Sequence, residues 1–158
     1  MIIFTPNTVI KSADINSNFD NLDKGLIHNP YKFGAYRSTS QGGGTIIFAN
    51  EYFDTNDNYN TSTGIYTCPV TGYYQFNATT SQPVTAAPQD PSMTIFKNAG
   101  GVVNSHFVNM YNGVSTGSAV ASTFIYCLVG DQIYVWSARG CDNANAPGNT
   151  FNGYLVSL

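Results

Sequence analysis

The chain has 158 residues, which suits one domain and a short appendage and leaves ample length for a sandwich core. Only 9% of the residues are charged and the net charge is −3, so its scattered cations make no stripe able to release counterions from a phosphate backbone, and sequence-independent nucleic-acid binding is excluded. Abundant aromatic and β-branched residues exclude charge-driven disorder, and no apolar run approaches the roughly 18 residues that a membrane-spanning helix needs, so no membrane insertion is expected.

Residues 1–30 differ from the rest. Met1-Ile2-Ile3-Phe4-Thr5 lacks a basic flank, and its apolar run is too short for a leader, so the chain is expected to be made in a cytoplasm and not exported by the general secretory route. Ser12 can cap a helix that starts at Ala13, with Asp14 facing the positive end of the helix dipole. Ile15, Phe19, Leu22 and Leu26 follow at heptad spacing. Gly25 weakens the end of this α-helix and Pro30 stops it. A single helix so short is marginal in water. Its seam must be buried, either in a bundle of three copies or against the base of the domain that follows.

From Tyr31 onward the pattern is β. Runs rich in Val, Ile, Thr, Phe and Tyr predict strands at 32–38, 45–49, 64–68, 73–80, 92–97, 102–109, 118–128, 132–138 and 150–157. Tyr74 and Phe76 share one face of their strand; Tyr73, Gln75 and Asn77 share the other. Many short strands without helical periodicity predict an all-β antiparallel sandwich or jelly roll. Phe48, Tyr66, Phe76, Phe124, Trp136 and Phe151 are the expected aromatic core. Tight turns at Val70-Thr71-Gly72, Asn98-Ala99-Gly100-Gly101 and Val129-Gly130-Asp131 alternate with long joints near 81–91, 110–117 and 139–149. If successive strands run antiparallel, all tight turns share one end with Leu158, and all long joints crown the other.

Motifs that would carry catalysis fail on context. Gly113-Val114-Ser115-Thr116-Gly117 matches the nucleophile elbow, but a β-rich run follows where a helix is required, and both histidines, His28 and His106, precede the serine. No carboxylate pair stands out for glycoside hydrolysis. Asp54-Thr55-Asn56-Asp57-Asn58-Tyr59-Asn60 begins like an EF-hand loop, yet Tyr59 replaces the turn glycine and Ile65 the terminal glutamate. Asn56, Asp57, Asn58 or Asp142 remain candidate oxygen donors to Ca²⁺; the competing reading is Asx turns onto the loop backbone. Gly42-Gly43-Gly44 reads as a flexible turn. The three cysteines cannot all pair within one chain. Cys68 and Cys127 lie in apolar runs and read as small buried hydrophobes, a disulfide between them requiring Cα atoms within about 7 Å. Cys141, in a Gly/Asn-rich loop, is expected to be accessible.

Two resemblances sharpen this picture. Phe48 and Asn50, Tyr59, the run Gly64-Ile65-Tyr66-Thr67-Cys68-Pro69-Val70-Thr71-Gly72-Tyr73-Tyr74-Gln75-Phe76, then Phe96-Lys97-Asn98, Gly130-Asp131-Gln132-Ile133 and Phe151-Asn152-Gly153-Tyr154-Leu155 together resemble the C1q/TNF-like domain. That resemblance implies a ten-stranded jelly roll over residues 31–158 that assembles as a homotrimer and serves as a binding head, not an enzyme. It implies a subunit interface at Tyr74, Phe76, Phe151 and Tyr154, and a trimeric head favours the three-helix arrangement of Ile15, Phe19, Leu22 and Leu26. The stretch from Pro6 to Phe19 resembles an opening found in bacteriophage fibre and appendage proteins. Together they imply a phage virion appendage: residues 1–30 attach to a capsid or tail protein and help trimerisation, and the head contacts a host-surface glycan or protein. Tip residues with suitable chemistry are Gln89, Asp90, Tyr111, Asn112, Arg139, Asp142, Asn143 and Asn145. A ligand-free capsid decoration protein and a secreted C1q-like binding protein are the alternatives.

Overall fold

The computed structural model describes residues 29–83, 93–98, 100–104, 106–108, 116–142 and 148–158. The chain divides into two compact units, 1–30 and 31–158. The expected helix, with Ile15, Phe19, Leu22 and Leu26, lies outside the described residues.

Twelve strands are present among the described residues: β1 (Lys32–Arg37), β2 (Gly44–Thr45), β3 (Asn50–Asp54), β4 (Tyr59–Asn60), β5 (Ile65–Thr67), β6 (Gly72–Pro83), β7 (Thr94–Lys97), β8 (Gly100–Asn104), β9 (His106–Val108), β10 (Thr116–Cys127), β11 (Gln132–Ser137) and β12 (Asn149–Ser157). They form two antiparallel sheets. One six-stranded sheet has the order β3-β1-β12-β6-β10-β9; the other runs β4-β5-β11-β7-β8, with β2 added beside β11. The count exceeds the expected ten because two-residue pairings are included and the run 102–109 divides: β8 pairs with β7, whereas β9 pairs with β10 in the opposite sheet. Strand β3 carries no alternation in the sequence and was not expected; its residues are mostly exposed.

Period-two alternation builds the core. In β6, Tyr74, Phe76, Ala78, Thr80 and Gln82 point between the sheets and are buried. In β11 the inward residues are Ile133, Val135 and Ser137, and in β12 they are Asn149, Phe151 and Gly153. Phe33 stacks on Tyr66 with ring centroids 4.5 Å apart and meets Phe151 edge-on at 4.9 Å. Such pairs add about 0.5–1.5 kcal/mol each beyond their buried area. Gly153 stands opposite Phe76, whose ring occupies the space that a Cβ would need. Two buried hydroxyls have partners: Tyr74 donates to the Val70 carbonyl at 2.8 Å and Tyr59 to that of Phe48 at 3.1 Å, whereas the buried Tyr66 hydroxyl finds none among the described residues.

Three expectations are corrected by this parity and packing. Phe124 and Trp136 are not core: the inward rows of β10 and β11 are the odd-numbered residues, so both rings face outward, 56% and 38% exposed. Tyr74, Phe76 and Phe151, expected at a subunit interface, are wholly enclosed between the two sheets of one chain; of that set only Tyr154 is exposed. Cys141 is buried, because its backbone is bridged to Gln41 in both directions at 2.8 and 2.9 Å. Cys68 and Cys127 are fully buried, as apolar surroundings suggested, and carry free thiols.

The tight turns gather at one end, around Asp131. Its carboxylate accepts from the Leu128 amide at 2.9 Å and from the Asn98 side chain at 2.5 Å, and lies 3.2 Å from the Lys97 ammonium. Its backbone carbonyl accepts from Cys68 at 2.8 Å, and the Val129 amide reaches Thr71 at 3.1 Å. Three turns from both sheets thus share one fastening. Tyr31, bonded to Leu155, and the end of β12 beside Tyr73 lie at this same base. At the opposite end Pro83 pairs with Thr116, and buried Asn149 ties β12 down: its carbonyl accepts from the Ser81 amide at 2.7 Å, and its amide donates to Asp142 at 2.7 Å and Arg37 at 3.4 Å. The described strand ends that flank the long joints therefore converge where alternation of loop lengths requires.

Replacing Asp131 by Ala leaves the Leu128 amide and Asn98 without their acceptor, and we expect chemical denaturation to report a loss of about 2–3 kcal/mol. Burial alone would raise the Asp131 carboxyl, but bonds from Leu128, Asn98 and Lys97 hold it below its ordinary value. A depressed folded pKa contributes stability in full above the unfolded value of about 4 and loses it as pH falls through the folded value. The wild type should therefore lose more stability than Asp131→Ala on acidification below about pH 4. At the other end, Asn149→Ala should cost about 2 kcal/mol by the same measurement.

Candidate functional site

At the end opposite the base, the segment after β1 meets the segment after β11. Arg37 organises the first: its guanidinium donates to the carbonyls of Thr39 at 2.8 Å, Ile47 at 2.8 Å and Ser40 at 3.1 Å. Gln41 locks the same turn, donating to the Thr45 carbonyl at 2.6 Å and accepting from the Ile47 amide at 3.0 Å. On the other side, the Arg139 amide donates to the Ser137 hydroxyl at 3.2 Å, and the Asp142 amide to the Ser81 carbonyl at 2.6 Å. Between them Gly140 has φ of +77°, and the Gln41 carbonyl fills the place of a side chain. A glycine is required here on both counts.

The two segments enclose an open pocket of about 360 Å³, lined by Ser40, Gln41, Gly42, Arg139, Cys141 and Asp142. It brings together Arg139 and Asp142, two of the expected tip residues. Gln89, Asp90, Tyr111, Asn112, Asn143 and Asn145 lie outside the described residues. Ser40 and Gln41 were not anticipated; the adjacent triple glycine was the available signal, but only as a turn. Burial pushes the Cys141 thiol up, against the opposing pull of the nearby Arg37 charge, so this sulfur is kept protonated and is a poor nucleophile. The pocket offers a guanidinium with planar paired donors and a carboxylate acceptor, chemistry suited to holding hydroxyls or a carboxylate. Gly113–Ser115 lie outside the described residues, but Thr116–Cys127 follows as a strand where a nucleophile elbow demands a helix.

The loop after β3 lies at the base end, not the tip. Asp54 accepts from the backbone amides of Asn56 at 3.2 Å and Tyr59 at 2.7 Å, and Asn60 from those of Ser62 at 2.9 Å and Thr63 at 3.2 Å. These are Asx turns, with Asp57 at a positive φ of 53°. Burial, then the charges of Asp54 and Asp57, raise the Glu51 carboxyl. Among the described residues no three metal-ligating side chains come together.

A second surface is the outward face of the β3-β1-β12-β6-β10-β9 sheet. Near the base Tyr73 stacks on Phe124 at 5.4 Å with planes 8° apart, and packs against Tyr126 at 5.1 Å. Tyr154 stands on the next strand, opposite Gln75. These four rings are 43–56% exposed. Farther from the base the face turns polar: Gln75 donates to Asn77 at 3.0 Å and Ser122 at 2.9 Å, and Asn77 donates to Asn152 at 3.1 Å. Tyr73, Phe124 and Tyr126 were missed as surface residues, although the alternation around Tyr74 and Phe76 already placed Tyr73 on the far side.

Known proteins share this architecture. The globular domain of zebrafish complement 1qA protein superposes with a TM-score of 0.60 at 20% identity, covering 80% of this chain and 97% of that one. Murine APRIL, in a crystal structure at pH 5.0, gives 0.62 at 10% identity over 79% of this chain and 98% of that one. Eiger TNF from S. frugiperda gives 0.58 at 10% identity, covering 80% and 92%. The C1q domain family matches residues 32–156. With that match spanning nearly all of the sandwich, the chain belongs to the C1q-domain family.

Proposed function

We propose that this protein is a non-enzymatic homotrimer whose C1q head carries a ligand at its tip, and that it serves as an appendage of a phage virion. The observation that carries the trimer is the exposed cluster of Tyr73, Phe124, Tyr126 and Tyr154 on one sheet face. Four large rings side by side make an apolar patch of the kind that marks protein association. Three copies around an axis close such a surface without leaving an open edge.

Arg139 and Asp142 at the long-joint end support a ligand rich in hydroxyls or bearing a carboxylate, a host-surface glycan or a protein loop. Three such sites on one rigid head gain affinity by engaging together. The virion role rests on the likeness of Pro6–Phe19 to phage appendage openings, and it carries two assignments: attachment of residues 1–30 to a capsid or tail protein, and synthesis in the host cytoplasm.

Light scattering on the full chain should give three times 17.1 kDa. Phe124→Asp, whose side chain faces outward and does not support the core, should shift the mass to that of one chain while leaving the β-sheet circular dichroism intact. A wild-type monomer overturns the trimer. Arg139→Ala and Asp142→Ala should each weaken adsorption of the trimer to host cells at least about tenfold, since a loss of roughly 1.4 kcal/mol at one site is multiplied across three. Unchanged adsorption removes the tip assignment; unchanged adsorption with a less stable virion favours the decoration role.

A further inference from the structure

The outward face of the second sheet carries rings that neither the trimer contact nor the tip pocket uses. On β11 the outward row is Gln132, Tyr134 and Trp136, alternating with buried Ile133, Val135 and Ser137. Phe96 of β7 stacks on Tyr134 with ring centroids 5.4 Å apart and planes 9° apart, and meets Trp136 at 6.3 Å with planes 67° apart. Phe96 and Tyr134 are partly buried, whereas Trp136 is 38% exposed. Trp136 stands opposite Thr45 of β2 on one side and Thr94 of β7 on the other. Directly opposed residues share a face of the sheet, so two partly exposed threonines flank the indole.

The same strand leads to the tip pocket. Arg139 lies three residues beyond Trp136, a span of at most about 10 Å. Gly42, Gly43 and Gly44 run beside that stretch: Gly44 pairs with Ser137, and Gly43 lies so close to the Ala138 carbonyl that a side chain has no room. The three glycines present no side chain and Ala138 only a methyl. These two segments therefore raise no bulky group between the indole and the pocket that Gln41, Arg139 and Asp142 line.

We propose that Trp136 and the Arg139–Asp142 pocket form one elongated site for an oligosaccharide, in which one sugar lays its C–H face on the indole and the next places its hydroxyls on Arg139 and Asp142. The assignment rests on the pocket being the ligand site and narrows the ligand to a glycan. The electron-rich face of an aromatic ring attracts the weakly positive C–H groups of a pyranose. The threonine hydroxyls of Thr45 and Thr94 can donate to and accept from the sugar hydroxyls at its rim. Size separates a glycan from a protein partner. The exposed part of the indole and its two half-covered neighbours offer on the order of 200 Å². Each side of a standard protein interface commits about 800 Å², whereas a sugar ring needs a platform no larger than this one. The stretch from Trp136 to Arg139 is one that two linked pyranoses bridge.

The full-length protein is screened on an array of bacterial capsular and O-antigen polysaccharides, and oligosaccharides of those that bind are titrated in solution. Trp136 is the only tryptophan of the chain, so its fluorescence reads this site alone. Binding should change the emission, and a disaccharide should bind more tightly than either of its sugars. Trp136→Ala, whose ring faces outward, should keep the assembly mass and the β-sheet circular dichroism of the wild type and weaken binding about tenfold or more. Trp136→Phe, which keeps a ring face, should weaken it less. Gly42→Leu has open space at the added Cβ and should weaken binding by obstructing the path to the pocket. Glycan binding that leaves the emission unchanged and survives Trp136→Ala, yet is lost in Arg139→Ala, overturns the inference while the pocket stands as the ligand site. Binding lost in Trp136→Ala but untouched by Arg139→Ala and Asp142→Ala overturns the joined site and the pocket together. Binding to no glycan of the array overturns the inference, and cell adsorption abolished by protease treatment of the cells then gives the pocket a protein ligand.

Discussion

The pairing of β6 with β10 is the constraint on which the rest of the molecule depends. The two strands run side by side without a bulge from Gly72 opposite Cys127 to Pro83 opposite Thr116. Over that length each residue must point either between the sheets or away from them, and a slip of one position would exchange the two sets. The register puts Tyr74, Phe76 and Ala78 inside and leaves Tyr73, Phe124 and Tyr126 outside. One ladder therefore supplies both the wall of the core and the face available to a neighbour. The bulge-free register explains why those two surfaces can be so different in chemistry while sharing the same backbone.

The two ends of the sandwich are built on different principles. At the base, short turns from both sheets converge on Asp131, which satisfies two donors and a cation in a nearly enclosed position. An unpaired carboxylate there would be costly; a paired one rigidifies its surroundings. Both the start of the sandwich at Tyr31 and its end at Leu158 are found here, beside the buried thiols. At the other end the described backbone is fastened by Arg37, Gln41 and Asn149 and by the Gln41–Cys141 bridge. Longer connections between fastened strand ends leave room for side chains to vary without disturbing the core, and rigid scaffolds commonly carry recognition on such segments. The Arg139–Asp142 pocket occupies that position.

The architecture also bears on what kind of chemistry is accessible. A strand follows the serine motif, the EF-hand-like loop spends Asp54 on its own backbone, and the Cys141 thiol is held protonated by burial. Among the described surfaces are a polar pocket beside Arg139 and Asp142 and an aromatic sheet face around Tyr73 and Phe124.

Much of this was legible in the residues alone. Most strand positions, β3 excepted, and the alternation of short and long joints followed from period-two patterning and turn chemistry, because these are local properties of the chain; the family likeness rested on particular aromatic and turn residues. Burial of Cys68 and Cys127 followed from their apolar neighbours. The side on which each aromatic falls did not. Phe124 and Trp136 are as apolar as Phe76 and Phe151, and composition cannot separate a ring that fills the core from one on its outer face. Only the cross-strand register decides, and register is a relation between segments far apart in sequence. The same holds for Cys141, drawn into the interior by a bridge to Gln41, and for Asp131, whose partners come from three separate turns. The sequence by itself determined an all-β sandwich with tight turns at one end; tertiary structure decided which rings face outward, which residues line the pocket and which cysteines are buried, because each depends on contacts between strands that no local pattern encodes.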